Sequence, residues 1–275
     1  MLFSKGGSLS KPEWGTMDQP LSGESIPRIA AVIPALNEAP SIARVVEGLS
    51  SQVPLELHRI IVVDNGSIDG TGEEARCAGA EVVREERRGY GYACRAGLLA
   101  ATGADVILLL DGDAADDPAD LPRVLQPLLS READLVVGSR ALGTMEAGSM
   151  TPQQVFGNRL AALIMRHRYG LRVSDLGPLR AIRRGDLLAL EMREMTYGWS
   201  VEMMVKSALA GLRYRELPVH YRRRDGRKSK VGGTLSGSAR AGWYILSTTF
   251  RYSRWTPRRG LGEVKTPPRS YPHDA

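Results

Sequence analysis

Asp105-Val-Ile-Leu-Leu-Leu-Asp-Gly-Asp-Ala-Ala-Asp-Asp-Pro118 is the stretch whose reading decides the fold. It opens as an unbroken apolar run, Val106 to Leu110, the pattern of a strand buried on both faces. The run stops at Asp111, Gly112 and Asp113, with Asp116 and Asp117 close behind. Open α/β sheets bind ligands at the carboxyl ends of their strands, so acids placed there are candidates for chemistry. Two carboxylates separated by one glycine suit a hard, oxygen-preferring cation such as Mg²⁺ or Mn²⁺. Gly112, lacking a Cβ, leaves room for a ligand to come close. Asp116, Asp117 and Asp120 read equally well as caps of a helix over Leu121–Ser130.

The flanking chain repeats the pattern. Strands are expected at Arg28–Pro34, Arg59–Val63, Glu81–Arg84 and Asp134–Ser139, with helices at Ala39–Leu49, Gly72–Ala78 and from Gly89 to Ala101. This βαβαβαβαβ alternation predicts a largely parallel sheet with helices on both faces. Parallel strands carry their carboxyl ends on one side. Glu38, Asp64, Asp111 and Asp113 should therefore converge on one edge. A nucleotide held by carboxylates, its phosphates neutralised by a metal, is the chemistry such an edge implies.

Beyond Arg140 the pattern loosens. Ala141–Thr151 reads as a flexible connection, followed by helices at Pro152–Arg168 and Trp199–Ala210, short strands at Leu179–Arg183 and Tyr214–Tyr221, and an amphipathic helix at Ser236–Tyr252. Residues 1–27 and 253–275 are expected to be a disordered leader and tail around one domain, 28–252, with a nucleotide-binding half to 140 and an acceptor half from 141.

The net charge of +6 is concentrated. Between Arg213 and Lys230 eight basic residues face only Glu216 and Asp225, a cluster suited to phosphate, anionic lipid or nucleic acid. Cys77 and Cys94 lack metal-ligand spacing, which predicts a reducing compartment. No apolar run nears the roughly 18–20 residues that span a bilayer, and no signal-peptide core opens the chain. A cytoplasmic protein, resting at most peripherally on the membrane face, is expected.

Pro34-x-x-Asn37-Glu38, Val63-Asp64-Asn-Gly-Ser-x-Asp69-Gly-Thr71, Arg88-Gly89-x-Gly91, Asp111-x-Asp113 and Gly138-Ser-Arg140 occur in that order. Together they resemble the family-2 glycosyltransferases with the Rossmann-like GT-A fold, above all the dolichyl- and polyprenyl-phosphate sugar transferases. The resemblance runs from about Arg28 to Tyr252. It implies that Pro34, Asn37, Glu38, Asp64, Arg88, Gly89 and Gly91 hold the nucleotide of a UDP- or GDP-linked sugar. It implies that Asp111 and Asp113 bind the bridging cation, and that Arg140 lies near the sugar or an acceptor phosphate. It further gives Arg224, Ser229 and Lys230 to the diphosphate, although the loop carries one more residue between Gly226 and Ser229 than the family pattern.

Asp175 and Glu202 complete the resemblance as a general base or as groups orienting acceptor or sugar; a first-turn partner of the helix dipole is the plainer role for Glu202. Polyprenyl phosphate is the expected acceptor, with a soluble hydroxyl as the alternative. A dinucleotide fingerprint at Gly89-x-Gly91 fails because Cys94 stands where the third glycine belongs. A nucleotidyltransferase would carry an early glycine-rich loop. A nucleic-acid-binding module would leave the acidic edge unexplained, so no nucleic-acid partner is expected.

Overall fold

The computed structural model describes residues 27–52, 57–224 and 247–257. Its centre is β1 (Ile29–Ala35), every residue of which is buried. Side chains alternate across a strand. Ala30 and Val32 accordingly enter one core while Ile29, Ala31 and Ile33 enter the other. Each fully buried aliphatic side chain contributes about 1.5–3 kcal/mol, so both faces hold β1 in place.

Parallel to β1 lie β2 (Leu57–Asp64) on one side and β4 (Val106–Leu109) on the other, with β3 (Glu81–Arg84) beyond β2. Helices α1 (Ala39–Gln52), α2 (Thr71–Cys77) and α3 (Tyr90–Ala100) make the crossovers, and α4 (Leu121–Leu129) follows the acidic stretch. Ala35 pairs with Asp64 in register, and Val32 with Leu109, so the three strands end together. That alignment places Glu38, Asp64 and Asp111 along one edge.

The second half departs from simple alternation. The order is β3-β2-β1-β4-β6-β5-β7. The four-residue β6 (Arg180–Arg183) lies antiparallel between β4 and β5 (Leu135–Met145), and β5 pairs in parallel with β7 (Tyr214–Tyr221). The expected end of β5 at Ser139 and the flexible connection from Ala141 are corrected: after an irregularity the strand resumes, pairing Thr144 with His220 and Met145 with Tyr221. Gly143 permits this, because a Cβ there would overlap the Val219 backbone.

Helix α5 (Pro152–Tyr169) begins with a capping box in which Thr151 and Gln154 satisfy each other's backbone N–H, and ends at left-handed Gly170. Then come α6 (Arg184–Ala189), which the sequence pattern did not suggest, and α7 (Trp199–Leu209). Residues 247–251 are helical, and Tyr252 and Trp255 pack on the same core as α7. The expected disordered tail is therefore corrected for residues 253–257. The leader to residue 26, the tail from 258 and most of the Ser236–Tyr252 helix lie outside the described residues.

Candidate active site

The β1–β2 side of the edge is a set of interlocked turns. Pro34, buried in β1, leads to Asn37, whose φ of 51° lies in the left-handed region that asparagine tolerates. Its backbone N–H donates to Ser67 Oγ (2.9 Å), and its Oδ1 accepts from Ile68 N (2.9 Å). Glu38 N donates to Thr71 Oγ1 (2.8 Å), and that hydroxyl donates to Asp69 (2.5 Å). Asp64 accepts from Ser67 N through Oδ1 (2.8 Å) and lines a cleft of about 200 Å³ with Ser67, Thr71, Arg76, Val82 and Arg84. Polar turns on one wall and Val82 on the other suit a planar ring with hydrogen-bonding edges.

Beside this cleft sit the acids of the β4 tip. Ser41 Oγ donates to the Gly112 carbonyl (2.8 Å), tying α1 to the turn. Gly112 does not face a ligand as expected: a Cβ there would meet Ile42, Ala35 and Ile33 at 3.2–3.5 Å. Asp113, 5% exposed, accepts from Ala115 N (3.1 Å) and pairs with Arg224 Nε at 2.7 Å. Burial, and then Asp113, raise the Asp111 carboxyl to about 6, while Arg224 and Arg140 pull it down.

On the far side Arg140 reaches in from β5. Its backbone N–H (3.0 Å), Nε (2.6 Å) and Nη2 (2.8 Å) all donate to Asp175, and its guanidinium lies 4.9 Å from the centre of the Tyr221 ring. Asn158 Nδ2 (2.7 Å) and Leu176 N (2.8 Å) also donate to Asp175. Acids and arginines thus confront one another across the carboxyl edge of the sheet.

The family model for glycosyl transferase family 2 matches residues 30–189, which span this edge. An uncharacterised glycosyltransferase of Mycobacterium tuberculosis (strain H37Rv) is 38% identical over 223 residues, 80% of this chain and 98% of that protein. The chain belongs to glycosyl transferase family 2. This glycosyltransferase is also similar to an undecaprenyl-phosphate mannosyltransferase of Micrococcus luteus, 33% identical over 233 residues, covering 77% of the chain and 90% of the relative. Glucosyl-3-phosphoglycerate synthase from Mycobacterium tuberculosis, solved with Mn²⁺, uridine diphosphate and glucosyl-3-phosphoglycerate, matches with TM-score 0.65 and 25% identity over 89% of this chain and 88% of that one. The GT-A architecture is confirmed.

Several residues in the glycosyltransferase sit otherwise than the motifs imply. Gly89 and Gly91 are packing glycines: a Cβ on either would overlap the carbonyl oxygen of Met195 or Glu194. Gly89 N donates to Asn65 Oδ1 (2.8 Å) rather than standing open to a phosphate. Arg88, partly over Gly66, donates to its carbonyl (2.9 Å) and flanks the turns after β2. Glu202 is fully buried in α7, accepting from Lys206 (2.7 Å) and from the backbone of Arg193 (2.9 Å) and Glu194 (2.6 Å). It braces the loop that covers Gly89 and Gly91. Arg224 faces Asp113, while Ser229 and Lys230 lie outside the described residues.

Asn65 is a position to which the motifs assign no role. It is 4% exposed and ties the end of β2 to the 85–89 stretch, donating to the carbonyls of Glu85 (3.0 Å) and Arg87 (2.8 Å) while accepting from Gly89 N. Its signal was an amide directly after a strand-end acid, where a side chain with both donor and acceptor can tie neighbouring turns.

Asp111 and Asp113 offer hard oxygen donors in a carboxylate-rich pocket, the donor chemistry of Mg²⁺ or Mn²⁺. Among the described residues no group of three acids, histidines or cysteines is placed to hold an ion. A cation here would complete its shell with water and ligand phosphate, the usual habit of Mg²⁺.

Proposed function

We propose that this glycosyltransferase moves one sugar, with inversion, from a UDP- or GDP-linked sugar to a polyprenyl phosphate, using Mg²⁺ or Mn²⁺. The observation that carries the reading is the paired acids Asp111 and Asp113 set against Arg140 and Arg224 at the strand edge. The base and ribose take the cleft beside Asp64, within the turns of Pro34, Asn37 and Glu38. The cation, when bound by Asp111 and Asp113, supplies Lewis-acid stabilisation of the leaving diphosphate. Arg224 and Arg140 add preorganised positive charge to the same region. Mn²⁺ and uridine diphosphate in the solved synthase support the donor class.

Asp175 has its carboxylate engaged by five donors, which suits holding Arg140 better than removing a proton. An acceptor phosphate, ionised at neutral pH, attacks without a base. Arg140 would then steer it by charge-assisted hydrogen bonding.

A lipid-linked acceptor is further supported by α5. Asn158 on this helix donates to Asp175, while Phe156 and Leu163 on its outer face are 69% and 52% exposed. Arg159 and Arg166, also exposed, share that face at helical spacing. Apolar side chains among arginines suit an anionic membrane surface. Among the described residues no helix is long and apolar enough to cross a membrane, so the contact would be peripheral. Transfer to a soluble hydroxyl is the second reading, favoured by the likeness to the phosphoglycerate-glycosylating synthase.

Incubation with labelled UDP- and GDP-sugars, Mn²⁺ and a short polyprenyl phosphate tests the proposal. Label extracted with the lipid is expected, and its loss in Arg140→Ala. Label only on added soluble alcohols would favour the second reading. No transfer from any donor to any acceptor would overturn both.

A further inference from the structure

Asp116 differs from Asp113, Asp117 and Asp120, the paired acids around it. Asp117 accepts from Ala119 N (3.1 Å) and pairs with Arg222 (2.6 Å); Asp120 pairs with Arg123 (2.7 Å) and accepts from His220 N (2.5 Å); Asp113 has Arg224. Asp116 is 7% exposed, and among the described residues neither of its carboxylate oxygens has a partner in hydrogen-bond geometry. Burial holds its carboxyl well above the usual range; Asp111 and Asp113 push it further up, while Arg140 and, least of all, the nearby Asp111 backbone N–H oppose them.

The fold does not need this side chain. The main chain here is fixed by the bridge between Asp116 and Tyr221 and by Arg222 N donating to the Ala115 carbonyl (2.7 Å), contacts available to other residue types. A buried carboxylate without donors is costly, and persists where a ligand supplies the donors. Asp111, Asp113 and Arg140 all act on Asp116 electrostatically, so its ligand belongs to the same pocket. Phosphate oxygens bring no hydrogens, so they leave the accepting oxygens of Asp116 unpaired whether or not the carboxyl is protonated. Sugar hydroxyls bring hydrogens, two at a time when vicinal.

We propose that Asp116 receives the hydroxyl hydrogens of the donor's hexose ring and so helps decide which sugar is transferred. The inference rests on the nucleotide-sugar reading given above. It makes Asp116 a specificity residue, set apart from the cation pair.

Calorimetric titration of the full chain with Mn²⁺ tests it, using UDP, UDP-glucose, UDP-galactose, GDP and GDP-mannose on wild type, Asp116→Asn and Asp116→Ala. Both variants should melt above wild type, since each removes a buried unpaired carboxylate. For the nucleotide that wild type binds, the variants should hold the free diphosphate within about twofold yet lose about tenfold for its sugar conjugate. Equal losses for diphosphate and conjugate would overturn the inference by placing Asp116 in the phosphate site. No loss for either would overturn it by leaving Asp116 without a ligand. If wild type binds none of these nucleotides, the donor reading itself falls, an outcome separate from the other two.

Discussion

Arg224 Nε lies 2.7 Å from Oδ2 of Asp113, so an arginine occupies the carboxylate that the motif gives to a cation. The two positive charges compete for one oxygen until a diphosphate gives the guanidinium another partner. Arg224→Ala should therefore bind Mn²⁺ alone several-fold more tightly while binding nucleotide diphosphate plus Mn²⁺ more weakly. Calorimetry with and without nucleotide reads both directions. Weakening of both would mean that Arg224 merely shapes the pocket.

Asp175 and Arg140 should behave as a unit. With Nε, Nη2 and the backbone N–H of Arg140 on one carboxylate, either substitution removes the same guanidinium placement. Asp175→Asn and Arg140→Lys should each lower kcat/KM by about 10²-fold, and the double variant should be scarcely worse than either single one. A general base would instead give a loss for Asp175→Asn that adds to that of Arg140→Lys.

Glu202 and Lys206, both 0% exposed, form an i,i+4 pair inside α7. Removing one partner of a buried pair costs about 3–5 kcal/mol because the other charge is stranded. Glu202→Gln should lower the melting temperature by roughly 10 °C. Replacing both by leucine should recover only part of that loss: the stranded charge is gone, but the Arg193 and Glu194 N–H groups and the Leu190 and Glu191 carbonyls lose their partners. A catalytic role for Glu202 would instead show as lost turnover at unchanged melting temperature.

The Asp111 carboxyl, raised to about 6 by burial and by Asp113, sets a pH dependence. Between its unfolded value near 4 and its folded value, the native state binds more protons than the unfolded chain. Stability of the metal-free protein should fall as pH rises through that window and level off above it. Mn²⁺ requires the ionised form, so cation affinity should move the opposite way and weaken below about pH 6. Thermal melts from pH 4 to 8, with EDTA and with Mn²⁺, check both signs.

The half of the fold that carries the donor edge was legible because its signals are local. Val106–Leu109 is a short apolar run closed by turn-forming acids, and Asp64 and Glu38 follow runs of the same kind. The antiparallel seat of β6 was not legible. Arg180–Arg183 is four residues long, and its place between β4 and β5 is decided by pairing with strands far along the chain. The stretch of β5 beyond Arg140 is likewise held by His220 and Tyr221 rather than by its own pattern.

Local pattern misled in two places. Glu202 in a helix's first turn looks like a dipole partner or a reacting acid, yet Lys206 four residues on marked the partner it has. Gly89-x-Gly91 looks like a phosphate loop, but the space above it holds the Glu194 and Met195 backbone. Both are facts of packing, and no local spacing reports what crosses a glycine.

The central claim is that a nucleotide sugar binds at the β4 tip through a cation held by Asp111 and Asp113. The most direct measurement is a thermal-shift panel of UDP, GDP and their sugars, each with Mn²⁺ and with EDTA, on wild type and Asp113→Asn. A ligand that binds only the native state raises the melting temperature by mass action. A shift for one base is expected, present with Mn²⁺, absent with EDTA and absent in Asp113→Asn. A shift of equal size in EDTA or in Asp113→Asn, or no shift with any nucleotide, would contradict it.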